Sequence, residues 1–139
     1  MNTQRILLAA LAVILVGCQA DKGVYSGYET TKPGKLPYVF YVGTSGAGAQ
    51  GVLRCRLDGQ TGKISAPVVV AEAKSASYLA LSRDSKFLYA TAEAAEGAVA
   101  SFAVEGVKLR LLNTEASKGK GPTHLAVDAA RKNLIVVNY

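Results

Sequence analysis

From residue 38 onward, apolar and polar positions alternate in short runs, and each run closes on a turn signal. No stretch keeps the 3.6-residue spacing of a long amphipathic helix, so the pattern predicts half-buried β-strands. The middle of the chain predicts four in succession, at 78–82, 87–93, 98–104 and 108–115. Arg83-Asp84-Ser85, Glu96-Gly97 and Glu105-Gly106 separate them as turns.

The pattern then repeats. "YLALSRDSKFLYATAE" (78–93) lies over "HLAVDAARKNLIVVNY" (124–139) at an offset of 46, with Leu79/Leu125, Ala80/Ala126, Lys86/Lys132 and Leu88/Leu134 identical. "GVLRCRLDGQTGKIS" (51–65) overlies "GAVASFAVEGVKLRL" (97–111) at the same offset. "YVFYVGT" (38–44) matches "KFLYATA" (86–92) at an offset of 48, the slip falling in a loop. A four-stranded antiparallel unit of this period predicts an all-β fold of β-propeller blades. One such sheet cannot bury both faces alone and needs a neighbour on each side. An immunoglobulin-like sandwich, the competing all-β fold, would not repeat at this interval.

By this count the chain holds the end of one blade, one whole blade and half of a third, about two and a half in all. The expectation is an open array with unpaired strand edges, prone to aggregate unless a partner or further chain completes it. The sequence therefore reads as the N-terminal part of something longer, or as the product of a truncated gene without function.

The first residues read differently. After a short polar start with Arg5, residues 6–16 ("ILLAALAVILV") are uninterruptedly apolar. They are too few to span a bilayer as a helix but suit a secretory leader. They end in Leu15-Val16-Gly17-Cys18, which resembles a bacterial lipobox and marks Cys18 for lipidation. An ordinary cleaved leader with an incidental cysteine is the alternative. The expected division is a lipoprotein signal peptide over 1–18, a polar tether over 19–36 and a partial propeller over 37–139. The protein would be exported and lipid-anchored to a bacterial membrane. Gln19, by resemblance to enterobacterial sorting, favours the outer membrane in a Gram-negative cell. With Cys18 acylated, only Cys55 remains, so no intrachain disulfide is expected, and Cys55 reads as a small buried residue.

Charge and motifs narrow the chemistry. The net charge of +6 is spread out, with no basic run, so nucleic-acid binding has no specific support. A single histidine and one spare cysteine give no metal set, and no cofactor is expected. "GTSGAG" (43–48) lacks the Lys-Ser/Thr of a phosphate-cradling loop, and no Gly-x-Ser-x-Gly elbow is present.

With these residues in view, the chain resembles the seven-bladed propeller lactonases, which include propeller-type 6-phosphogluconolactonases and carboxymuconate lactonizing enzyme. The resemblance rests on "YVFYVGTSG", "GVLRCRLDGQTGKIS", "SYLALSRDSKFLYATAE", "GAVASFAV", "GPTHLAVD" and "LIVVNY", in that order across 38–139. It implies a lactonase-like hydrolase that opens a sugar lactone without a cofactor. It also implies catalytic His124 and Glu93, with Asn138 as a hydrogen-bonding residue at the rim. Where the family has asparagine before that glutamate, this chain has Ala92.

The residues themselves leave alternatives open. His124, the only histidine, follows "GKGPT" and starts an apolar strand, as Tyr78 does one unit earlier. It is either a polar strand-starter or a side chain presented at the channel mouth. Glu93 is either a solvated strand end or the acid–base partner of His124 from the preceding blade. Family members use groups in later blades, so this chain is expected to be inactive or incomplete as a catalyst. A membrane-anchored propeller that binds without catalysis is the alternative function.

Overall fold

The alternation becomes nine strands among the described residues, 37–92 and 96–139, of this computed structural model. They are β1 (Tyr38–Gly43), β2 (Val52–Leu57), β3 (Val68–Ala71), β4 (Leu79–Leu81), β5 (Phe87–Ala92), β6 (Ala98–Glu105), β7 (Lys108–Ala116), β8 (Pro122–Val127) and β9 (Leu134–Asn138). They form three sheets, ordered β1-β2-β3, β4-β5-β6-β7 and β8-β9. Every pairing is antiparallel between sequence neighbours. This is the expected succession of three blade strands, one whole blade and two strands of a third. The leader, Cys18 and the tether lie outside the described residues.

The repeat is geometric as well as textual. In the β4–β5 turn Ser82 N donates to Phe87 O at 2.8 Å, and Ser85 N to Ser82 O at 2.8 Å. In the β8–β9 turn Asp128 N donates to Asn133 O at 3.1 Å, and Arg131 N to Asp128 O at 3.0 Å. Each atom pair is displaced by 46 residues. Ser85 and Arg131 both hold φ at 58°, left-handed values that glycine would adopt more readily. At the other end of the blade, Gly97 turns with φ 68°, and a Cβ there would stand 2.2 Å from Gly119 O. The linker from β7 to β8 therefore passes directly over that glycine, and Ser117 N closes it with a 3.0 Å bond to Gly97 O.

One spacing departs from the sequence reading. The ladders set Phe40 opposite Cys55 and Leu88 opposite Phe102. β2 thus matches β6 at 47 residues rather than 46, and Cys55 corresponds to Phe102 instead of Ser101. A one-residue slip exchanges the two faces of a strand, so the buried face decides the register. The glycines that open these strands, Gly51 and Gly97, still match at 46. The extra residue lies at the start of β6.

The core lies between blades. Leu79, Leu88, Ala90, Ala100, Phe102 and Leu109 of the second sheet cluster with Val52 and Ala76, and Tyr41 and Val70 pack against them. Leu88 is 1% exposed and Phe102 2%. Burying side chains of this size contributes roughly 1.5–3 kcal/mol each. In the third sheet Leu125 is buried, and β8 lies against β4 and β5. Its opposite face carries Ile135 at 59% exposure and Val137 at 51%.

Candidate functional site

Three strand ends meet at one rim: the start of β4, the end of β5 and the start of β8. Thr91, fully buried near the end of β5, ties the first two together. Its Oγ1 accepts from Tyr78 N at 2.9 Å, its own N–H donates to Tyr78 O at 3.0 Å, and its hydroxyl lies 3.1 Å from Ser77 Oγ. Both main-chain groups of Tyr78 are therefore held just before β4 begins. From there the Tyr78 side chain crosses to the next blade. Its hydroxyl lies 2.8 Å from His124 Nε2, and the two rings are tilted by 43° with centroids 4.3 Å apart.

His124 itself is exposed, and Nε2 to Tyr78 is its side chain's one hydrogen bond among the described residues. The bulge between Pro122 and His124 sets it opposite Val137, on the face with exposed Ile135. The imidazole is thus braced on one nitrogen and open on the other.

Glu93 lies outside the described residues, one position after the end of β5. Asn138 ends β9, where its Nδ2 donates to Ser117 O at 3.1 Å. A Cβ on Gly119 would stand 2.5 Å from that same nitrogen, so the linker is laid against the amide. Asn138 Oδ1 is buried without a hydrogen-bond partner among the described residues. No hydrogen bond joins Asn138 to His124. Beside the linker, Glu96, Ala116, Lys118, Gly119 and Lys120 line an open hollow of about 350 Å³.

Other reactive groups stand elsewhere. Burial pushes the Cys55 thiol up, and the residue is 6% exposed, which suits packing rather than nucleophilic attack. Burial also raises the Tyr41 phenol, an effect that neighbouring Arg54 partly offsets. Among the described residues no three His, Cys, Asp or Glu side chains gather as a metal site would require.

The sequence singled out His124 but not the groups that brace it. Tyr78, Ser77 and Thr91 carry no motif of their own. The signal was the repeat: Tyr78 and His124 share one position in consecutive blades, so both sit at the same rim within reach of each other.

A family profile described as "Lactonase, 7-bladed beta-propeller" matches residues 39–139. A 6-phosphogluconolactonase of Bacillus subtilis is 28% identical over 106 residues, which are 73% of this chain and 30% of that protein. A solved candidate 6-phosphogluconolactonase from Bacteroides fragilis superposes with a TM-score of 0.67 at 31% identity, covering 81% of this chain and 32% of its own. One from Bacteroides uniformis gives 0.67 at 29% identity, over 74% and 31%. The chain therefore spans about a third of the length of these relatives.

Proposed function

Because this chain belongs to the family of seven-bladed β-propeller lactonases, we propose that its His124 rim is part of a site that opens the ring ester of a sugar lactone. The observation that carries this reading is the braced, exposed imidazole at the meeting of β4, β5 and β8. The family supplies the reaction class, and the Bacillus subtilis relative supplies 6-phosphogluconolactone as the first substrate to try.

The chemistry needs a base, an electrophile and an acid. A water gives a proton to the base, its oxygen bonds to the lactone carbonyl carbon, and the carbonyl oxygen becomes an oxyanion. The ring C–O bond then breaks, and the departing oxygen takes a proton to become a hydroxyl. His124 and Glu93 are proposed to share the proton transfers, worth typically 10²–10⁴-fold. Asn138 is proposed as a rim hydrogen-bonding group. Lys118 and Lys120 offer positive charge to an acidic substituent of the lactone. With about a third of its relatives' length, the chain is expected to turn over slowly on its own.

The test is hydrolysis of glucono-δ-lactone and 6-phosphogluconolactone, followed by proton release against the buffer background. Hydrolysis that falls at least tenfold in His124→Ala and in Glu93→Gln supports the reading. Lactone binding with no hydrolysis would make the chain a non-catalytic binding propeller instead. We also propose lipidation at Cys18, anchoring the protein to a membrane. Incorporation of a clickable palmitate analogue in cells, abolished by Cys18→Ser, tests that independently.

A further inference from the structure

The Tyr78 hydroxyl has one close partner, and that partner is the only imidazole in the chain. A phenol O–H is a good donor and a poorer acceptor, and a neutral imidazole carries one N–H and one bare nitrogen. The bond one ring nitrogen makes decides which of the two holds the proton. Here Nε2 faces the phenol at 2.8 Å, while Nδ1 has no partner among the described residues. Thr91, from a fully buried position, holds both main-chain groups of Tyr78 and so fixes the backbone from which the phenol reaches. Ring contact with the imidazole fixes the approach further.

We infer that Tyr78 is a positioning residue for His124: its hydroxyl donates to Nε2 and commits the neutral imidazole to the Nδ1–H tautomer. An unpaired histidine side chain favours the opposite form, with the proton on Nε2. The consequence is a division of labour. A protonated Nδ1 on this exposed ring is a hydrogen-bond donor, suited to the carbonyl oxygen as it gains charge rather than to taking a proton from water. On the proposed lactonase reading, on which this consequence rests, His124 is then a proton donor in the shared transfers rather than the base.

The tautomer can be read without any activity. In uniformly ¹⁵N-labelled chain, a long-range ¹H–¹⁵N spectrum shows one imidazole, since His124 is the sole histidine. The spectrum is recorded at a pH high enough that the imidazole signals no longer change with pH. The expected wild-type pattern is a bare Nε2 and a protonated Nδ1. Tyr78→Phe keeps the ring contact but removes the donor, and should shift the balance toward Nε2–H. A protonated Nε2 in the wild type, or the same pattern in Tyr78→Phe, overturns the assignment. Should Tyr78→Phe misfold, the wild-type pattern alone decides. If the tautomer is as inferred but no lactone is bound or hydrolysed, the positioning role stands and the lactonase reading fails.

Discussion

Arg131, in the turn between β8 and β9, donates from its guanidinium to the Asp84 carboxylate in the corresponding turn of the blade before it. This contact ties two consecutive blades at the ends of their strands away from His124. Both side chains are partly exposed, so the pair is screened and modest in strength. Asp84→Asn should lower the unfolding midpoint slightly at low salt, and the difference from wild type should shrink at 1 M NaCl. Thermal unfolding at the two salt concentrations measures it.

Asp128 gives a pH dependence with a definite sign. The Asn133 main-chain N–H is the largest influence holding its carboxyl below the usual carboxylate range, with Lys132 N and the Asn133 amide helping. The unfolded chain has the ordinary value of about 3.9. A carboxyl depressed on folding stabilises fully above the unfolded value and loses that contribution as pH falls through the folded one. Stability should therefore drop below about pH 4. Asp128→Asn should be less stable at pH 7 and show a flatter acid limb in urea unfolding between pH 5 and 2.

Thr91 is expected to matter more than its size suggests. Thr91→Val keeps the shape but removes the oxygen that accepts from Tyr78 N. Leaving that part-buried N–H without a partner should cost on the order of 1 kcal/mol. Thr91→Ser, which keeps the oxygen, should recover most of that loss in equilibrium unfolding. The valine variant should also loosen the Tyr78–His124 contact, visible as broadening of the imidazole signals.

The core between blades separates two leucine-sized positions. Leu88, 1% exposed within the interblade cluster, should cost about 2–5 kcal/mol when cut to alanine. Ile135, 59% exposed on the third sheet, should cost less than about 0.5 kcal/mol. Urea unfolding of Leu88→Ala and Ile135→Ala tests whether the core lies where the sheets meet.

Most of the fold was legible in the sequence because the blade repeats itself. Alternation located the strands of the β4–β7 sheet to within a residue or two, and the offset of 46 exposed the turns that Ser85 and Arg131 close with equal φ. The one-residue slip between β2 and β6 was not legible, since Gly51 and Gly97 align perfectly and mask it. Only the buried face, with Cys55 paired to Phe40, reveals it. The candidate site was legible as one residue. His124 stood out by being unique and the repeat puts Tyr78 at the matching position, whereas Thr91 and Ser77 act through hydrogen bonds that no spacing rule encodes. Asn138 was expected at the rim, and its amide nitrogen is engaged with the linker at Ser117.

The most direct test of the account is a titration of the ¹⁵N-labelled full chain with a gluconate-derived δ-lactam, a lactone mimic that does not hydrolyse. The account predicts saturable shifts of the His124 ring signals, with neighbouring amides of β4, β5 and β8 moving in step. Both should vanish in His124→Ala while the rest of the spectrum stays folded. Saturable binding that moves signals elsewhere and leaves the imidazole unchanged would contradict it, and would remove His124 from the site.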